Sequence, residues 1–155
     1  MKRSEPTIEV MSRYEAGDIL SSPERCAGVT YLLSIGDVQD ELPIGYDNIN
    51  SKRRLLIADV ITEFGATEED IQQIIAVARE LQSVTGRVVI HCEAGVSRSS
   101  AAALIMYAVW LGPGREREAM NRVLAQRPIA IPNSRMVEIA DRLLDRKGRL
   151  VAELW

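Results

Sequence analysis

The stretch Val88-Val89-Ile90-His91-Cys92-Glu93-Ala94-Gly95-Val96-Ser97-Arg98-Ser99 runs from apolar residues into the single histidine of the chain, then a cysteine and an arginine. Its first residues belong to the run from Gly86 to His91, which has the β-branched, apolar character of a buried strand. The run from Ser99 to Leu111 has no charged residue and predicts a buried helix. Glu93 to Ser97 therefore forms a loop between the end of a strand and the beginning of a helix.

Three further apolar runs predict strands: Ile8 to Met11, Gly28 to Ile35 and Arg54 to Asp59. Cap residues and apolar residues at helical spacing predict the helices. The predicted helices are one opened by Thr67 to Asp70 and closed by Gly86, Ser99 to Leu111, Glu116 to Ala125, and a last one capped by Asn133 or Ser134 and followed by Gly148. Strands without polar alternation indicate a sheet covered on both faces. We expect an α/β domain, a three-layer sandwich with a central, mostly parallel sheet flanked by helices.

Length and composition favour a single globular unit. The chain has 155 residues, 46% hydrophobic and 26% charged, with a net charge of −3, and it has no linker rich in Gly, Ser and Pro, so we expect one catalytic domain over residues 1–155. The mildly acidic balance argues against nucleic acid as a partner, because phosphate neutralisation needs a basic face. Ala101 to Gly112, the longest uncharged apolar run, is shorter than the roughly 20 residues of a membrane span.

The N-terminal residues Met1 to Pro6 carry charges without an apolar run after them, which predicts no secretory signal. We therefore expect a cytoplasmic protein in which Cys26 and Cys92 remain free thiols. Cys26 is expected to be a small core residue, with a redox partnership to Cys92 as the alternative.

The strand-loop-helix junction predicts an anion site. Loop amides and a helix N-terminus jointly attract negative charge, and ligands of open α/β sheets bind beyond the carboxyl ends of the strands. The same surroundings favour the thiolate form of a cysteine such as Cys92. Arg98, six residues later, carries a planar fork that can pair with two phosphate oxygens.

The sequence His91-Cys92-Glu93-Ala94-Gly95-Val96-Ser97-Arg98-Ser99 resembles the signature of the cysteine-dependent protein tyrosine phosphatases, H-C-x-x-G-x-x-R-S/T, at every position. The compact size is similar to the dual-specificity members of that superfamily. The resemblance implies that Cys92 attacks phosphorus and that Arg98 holds the phosphate oxygens. Ser99 would assist departure of the Cys92 sulfur, and His91 would orient the loop. The loop residues implied to bind phosphate together with Arg98 are Glu93, Ala94, Gly95, Val96 and Ser97.

The resemblance also implies a general acid, an aspartate on a loop about thirty residues before the cysteine. Asp59 lies 33 residues before Cys92 and follows the third predicted strand, so it is our candidate for the acid and, in the second step, for the base. Other candidate acids in the sequence are Glu63, Asp47 and Asp70.

We expect hydrolysis of phosphorylated proteins, with phosphotyrosine preferred over phosphoserine and phosphothreonine, and with no cofactor and no metal. A phosphoinositide or other small phosphate ester is a second candidate substrate, which Glu93 in the loop disfavours by repelling further phosphates. A rhodanese-type sulfurtransferase and a phosphopeptide-binding module without catalysis are two further candidate functions.

Two groups of side chains have less specific interpretations. Four arginines indicate a solvated face: Arg115, Arg117, Arg122 and Arg127. Tyr46 and Phe64 flank the segment that carries Asp59 and are candidates for the rim of the site.

Overall fold

Four strands form the centre of the computed structural model, which describes residues 5–155. They are β1 (Thr7–Ser12), β2 (Val29–Gly36), β3 (Lys52–Leu56) and β4 (Arg87–Cys92). Their order across the sheet is β1-β4-β2-β3, and all three strand pairs are parallel. The predicted α/β fold is confirmed, and the sheet is parallel throughout. The first four residues, on which part of the secretory-signal prediction depends, lie outside the described range.

Within residues 5–155, six α-helices surround the sheet: α1 (Arg13–Leu20), α2 (Pro23–Cys26), α3 (Glu68–Leu81), α4 (Arg98–Leu111), α5 (Glu116–Gln126) and α6 (Ser134–Leu143). Two short 3-10 helices cover Tyr46–Asn48 and Val151–Leu154. The sequence predicted α3 to α6 and missed α1 and α2. Thr67 and Asp70 form the expected capping box of α3, and Asn133, rather than Ser134, caps α6 by accepting the Met136 amide at 3.1 Å.

The core lies on both faces of the sheet. Along β4, Val88 and Ile90 face α3 to α6 within the larger apolar cluster, whereas Val89 belongs to a smaller cluster with Ala16, Ile19 and Leu20 of α1. Side chains of a strand alternate between its two faces, so β4 is covered from both sides. This arrangement confirms the three-layer sandwich.

The third strand, Lys52–Leu56, begins and ends earlier than the predicted strand from Arg54 to Asp59. Its register places Gly36, the last residue of β2, beside Leu56, and one further hydrogen bond joins the Ile57 amide to the Gly36 carbonyl at 2.9 Å. Beyond this point β3 pairs with no strand of the described residues, so the prediction that the strand reaches Asp59 is wrong. Asp59 lies in the loop that follows.

A buried ion pair fastens the C-terminal part of the chain to the helices. Arg146 donates through Nη1 to Glu116 Oε2 at 2.8 Å and through Nη2 to the Ala108 carbonyl at 2.8 Å, and both charged side chains are buried. These bonds tie the segment after α6 to the ends of α4 and α5.

Within residues 5–155, no helix has both the length and the apolar character that crossing a membrane requires.

Candidate active site

The cysteine singled out by the sequence ends the central strand β4 and is buried. Cys92 Sγ lies 3.0 Å from Ser99 Oγ in the first turn of α4, and it accepts a hydrogen bond from the Gly95 amide at 3.3 Å. The structure therefore brings Cys92, Gly95 and Ser99 together.

The carbonyl groups of residues Glu93 to Ser97, here called the Cys92 loop, accept hydrogen bonds from residues outside the loop. The bonds that hold those carbonyls from outside are Arg13 N to Glu93 O at 3.2 Å, Arg127 Nη2 to Ala94 O at 3.3 Å, Arg127 Nε to Gly95 O at 2.9 Å and Asn133 N to Ser97 O at 3.1 Å. Because the C=O and N–H of a peptide unit point in opposite directions, outward carbonyls leave the loop amides facing inward. Such a concave set of N–H groups attracts an anion.

Gly95 is required by the geometry of this loop. Its φ is +71°, a conformation that costs other residues energy. An added Cβ would also lie 2.5 Å from the Met11 carbonyl carbon and 2.6 Å from the Ser12 amide nitrogen. The loop thus approaches the end of β1 more closely than a side chain allows.

Arg127 contacts the Cys92 loop, which the sequence did not predict. It was predicted within a solvated arginine face, which holds for the exposed Arg117 but is wrong for Arg127. Its guanidinium binds the loop carbonyls named above and pairs with Glu15 of α1 at 2.9 Å, and the hydrogen bond from Arg127 lowers the pKa of Glu15. Nothing in a single sequence separates this arginine from its exposed neighbours.

Arg98 is buried at the start of α4. Its Nη1 donates to the Ile57 carbonyl at 2.9 Å and lies 3.8 Å from Asp40 Oδ2. Its Nε has no hydrogen-bond partner among the residues that the structure describes. A buried cationic N–H is costly to leave unpaired, so this donor suits an anionic ligand.

His91 is held from both ring nitrogens. Nδ1 is 3.1 Å from the Cys92 carbonyl, which can only accept, so Nδ1 donates and Nε2, at 2.6 Å from Ser34 Oγ, accepts. Ser34 in turn accepts from Arg54 Nη1 at 2.8 Å. Burial lowers the pKa of His91 to about 4, so the ring is neutral. This chain of bonds from β3 through β2 orients the peptide that follows His91, and the sequence predicted neither Ser34 nor Arg54 in it.

Asp59 contacts the Cys92 loop. Its Oδ1 accepts from Ser97 Oγ at 2.8 Å and from Asn133 Nδ2 at 3.1 Å. Of the other candidate acids, Asp70 is occupied in the capping box of α3 and Asp47 lies in the 3-10 helix Tyr46–Asn48. Among the described contacts, Asp59 is the candidate that reaches the loop.

Glu93 does not present a free negative charge. Arg13 donates hydrogen bonds to both of its carboxylate oxygens, from Nε to Oε2 at 2.9 Å and from Nη2 to Oε1 at 3.2 Å. This pairing raises the pKa of Arg13. The expectation that Glu93 repels polyanions treated the carboxylate as unpaired. The ion pair corrects that argument.

Cys26 and Cys92 lie at opposite ends of the sheet. Arg87, the first residue of β4, pairs with Val29 and donates to the carbonyls of Arg25 and Ala27 on either side of Cys26. Cys92 is the last residue of that strand, about 16 Å further at the usual rise per residue. A disulfide needs Cα atoms within about 7 Å, so a direct redox partnership is ruled out in this fold.

The two aromatic candidates for the rim differ. Tyr46 packs against the smaller apolar cluster, with Lys52 Nζ 4.7 Å from its ring centre. Phe64, in the loop that carries Asp59, is exposed. The structure thus leaves Phe64 as the candidate beside the Asp59 segment.

Residues 5–155 contain no group of three or more His, Cys, Asp and Glu side chains that could hold a metal ion. The groups that contact Cys92 Sγ are an amide and a hydroxyl, which suit an anion.

Comparison with known proteins identifies the fold. No protein-family profile and no curated protein matches the sequence. Solved structures do match: human DUSP28 at 20% identity with a TM-score of 0.68, covering 96% of this chain and 98% of that one. DUSP15 matches at 22% identity with a TM-score of 0.67, covering 99% and 94%. PTPMT1 in complex with PI(5)P matches at 15% identity with a TM-score of 0.65, covering 96% and 97%. The chain has the dual-specificity phosphatase fold, as the resemblance of its loop implied.

Proposed function

We propose that this chain, which has the fold of the dual-specificity phosphatases, is a phosphatase that hydrolyses phosphorylated proteins through a cysteinyl-phosphate intermediate. The observation that carries the proposal is the set of groups around Cys92 Sγ. The sulfur accepts a hydrogen bond from the Gly95 amide and lies beside the Ser99 hydroxyl. The carbonyls of the Cys92 loop accept hydrogen bonds from residues outside the loop. Here the Cys92 loop is the phosphate-binding loop.

In the first step, the Cys92 thiolate attacks phosphorus and the bond from phosphorus to the substrate oxygen breaks. The loop amides and Arg98 hold the remaining phosphate oxygens and stabilise the charge that spreads over them in the transition state. Arg98 Nε, unpaired among the described residues, supplies one of these donors. His91 positions the loop through the Cys92 carbonyl and takes no proton.

Protonated Asp59 gives its proton to the departing substrate oxygen in the same step. Ser97 and Asn133 bind Oδ1 of this carboxyl group, which leaves Oδ2 to face the substrate. The two bonds thus fix the group beside the loop without using the oxygen that transfers the proton.

In the second step, water attacks phosphorus and transfers a proton to Asp59, while the phosphorus-sulfur bond breaks and inorganic phosphate forms. The electron pair of that bond returns to Cys92 as a thiolate. Ser99, 3.0 Å away, donates its hydroxyl to the sulfur and makes it a better leaving group. A free thiol is needed in each cycle, which supports a reducing compartment such as the cytoplasm.

Phosphoprotein is favoured over the other substrates. Beyond Arg98, the loop supplies no lysine or arginine side chain for additional phosphates. PTPMT1, crystallised with PI(5)P, shares the fold, and the pairing of Glu93 with Arg13 weakens the electrostatic case against such a ligand, so phosphoinositides belong in any test. The match to phosphatase structures along nearly the full chain favours a phosphatase over a sulfurtransferase.

The test is a panel of phosphotyrosine, phosphoserine and phosphothreonine peptides, phosphoinositides and thiosulfate. It compares the wild type with Cys92→Ser and Asp59→Asn, with Cys26→Ser as the matched cysteine control. We expect phosphotyrosine peptides to be the best substrates, Cys92→Ser to be inactive and Cys26→Ser to equal the wild type.

Asp59→Asn should lose about 100-fold or more in kcat on peptides, since general acid catalysis contributes roughly 10²–10⁴, and less on p-nitrophenyl phosphate, whose leaving group needs little protonation. An equal loss on both would move the acid to another residue. Preference for a phosphoinositide would replace the substrate assignment, and thiosulfate turnover without phosphate release would replace the reaction.

A further inference from the structure

A cleft of about 440 Å³ lies directly beside the site. It shares Asp59 and Ser97 with the active site, and its other walls come from the Asp59 loop, from α5 and from two segments near α6. The apolar residues that line it are Ile61, Met120, Ala130, Ile131, Pro132, Leu154 and Trp155. The mechanism proposed above uses none of these side chains.

The rim of this cleft exposes large apolar side chains to solvent. Ile61 is 66% exposed, Ile131 71% and Trp155 88%. Exposed apolar residues that gather around a concavity mark binding sites more often than isolated ones do. Such a rim gains the most from an apolar ligand, because binding removes both surfaces from water.

We propose that this cleft binds an apolar side chain of the phosphoprotein substrate, one that flanks the phosphorylated residue. The inference rests on the proposed function and extends it to substrate selection. Asp59 places the cleft next to the substrate oxygen that it protonates, and adjacent residues of an extended peptide advance about 3.3–3.6 Å. A side chain one or two residues from the phosphorylated one therefore reaches the cleft.

Size and charge select this occupant over a lipid. The volume is at the lower end of the roughly 300–1,000 Å³ of ligand pockets, which suits one aliphatic or aromatic side chain rather than two acyl chains. None of the lining residues is a lysine or an arginine, and Asp59 is the charged one among them. An anionic headgroup therefore finds no cation in this cleft.

The experiment measures kcat/KM on matched phosphotyrosine peptides that carry Leu, Phe, Ala or Asp at the positions on either side, together with p-nitrophenyl phosphate. The variants are Ile131→Ser and Trp155→Ala, both at exposed side chains that the core does not need. The control is Ile44→Ser, because Ile44 is 74% exposed and lines a different groove with Tyr14 and Asp18.

We expect the wild type to prefer Leu or Phe over Ala by about tenfold at one flanking position, the effect of burying one large apolar side chain. Ile131→Ser and Trp155→Ala should each reduce the preference to about threefold or less while leaving p-nitrophenyl phosphate turnover within twofold. Ile44→Ser should retain the full preference.

Three outcomes would overturn the inference. Active enzyme with equal kcat/KM for the Leu, Phe and Ala peptides would remove the subsite and leave the proposed function intact. A phosphoinositide turned over better than the peptides, with a loss in Ile131→Ser that grows with acyl length, would assign the cleft to lipid. A wild type inactive on p-nitrophenyl phosphate and on every peptide would refute the proposed function itself.

Discussion

Protonation of His91 should couple the stability of the protein to pH. Burial lowers the pKa of His91 from its ordinary value of 6.5 to about 4, and the neutral ring fits its two bonds, Nδ1 donating to the Cys92 carbonyl and Nε2 accepting from Ser34. A second proton on Nε2 would remove the acceptor of the Ser34 hydroxyl and would place a buried cation near Arg54. The folded state therefore favours the neutral ring.

The size of the loss in the free energy of unfolding follows from the different proton binding of the folded and unfolded chains. Below pH 6.5 the unfolded chain takes up a proton that the folded chain does not, so the folded state loses stability as pH falls from about 6.5 to about 4. The full difference corresponds to about 3 kcal/mol, of which about 2 kcal/mol should be lost between about pH 7.5 and about pH 5. Above pH 7 this contribution is complete and constant.

Urea unfolding at both pH values tests this, with His91→Asn as the comparison. The variant loses packing and starts less stable, but it has no imidazole, so its free energy of unfolding should fall by about 2 kcal/mol less than that of the wild type over this interval. Because His91 is the single histidine, its NMR titration reports the same property without a variant. Parallel pH dependences of the wild type and His91→Asn, or a titration of His91 near pH 6.5, would contradict this prediction.

Three other substitutions test the scaffold of the site. Gly95→Ala should destabilise the fold by about 2 to 5 kcal/mol, from its positive φ and the contact at 2.5 Å with the end of β1, and abolish turnover; unchanged urea midpoint would contradict this. Arg127→Met, which removes two donors to loop carbonyls, should lower kcat/KM on p-nitrophenyl phosphate about tenfold, whereas Arg115→Met, at an exposed position, should not, and equal rates would exclude a role of Arg127. Glu116→Ala leaves Arg146 charged, buried and unpaired, so thermal unfolding should show a loss of about 3 to 5 kcal/mol, and a loss under 1 kcal/mol would show that the arginine is otherwise satisfied.

The sequence predicted those parts of the molecule that adjacent residues determine. The motif from His91 to Ser99, which contains the Cys92 loop, consists of nine consecutive residues, so it can be recognised without a fold. Partners contributed by distant segments, such as Arg127 and the Ser34–Arg54 pair, depend on strand order, which apolar patterns do not specify. Asp59 could be predicted only in part. Its distance along the sequence from Cys92 resembles that of the general acid in the cysteine-dependent phosphatases, whereas its contact with Ser97 is visible only in the structure.

The errors in the secondary structure have physical causes as well. Ile57 is buried although it lies beyond β3, so the apolar run continues after the sheet has ended and the predicted strand was too long. Helix α1 has eight residues with Gly17 inside it, which obscures a helical pattern. Its capping box, Ser12 with Glu15, is a signal that would have revealed it.

The strand order determines when the surroundings of Cys92 can form during folding. β1 adds to the sheet only beside β4, so residues 7–12 wait for residues 87–92, and β4 also needs β2, more than fifty residues earlier. Bringing residues so far apart in sequence together costs conformational entropy before the strand contacts can stabilise the fold, and this slows folding. During synthesis, β1 therefore emerges long before its partner β4. The surroundings of Cys92 are complete only when these two strands have paired. A partly synthesised chain therefore contains Cys92 without the strands that flank β4 in the folded sheet.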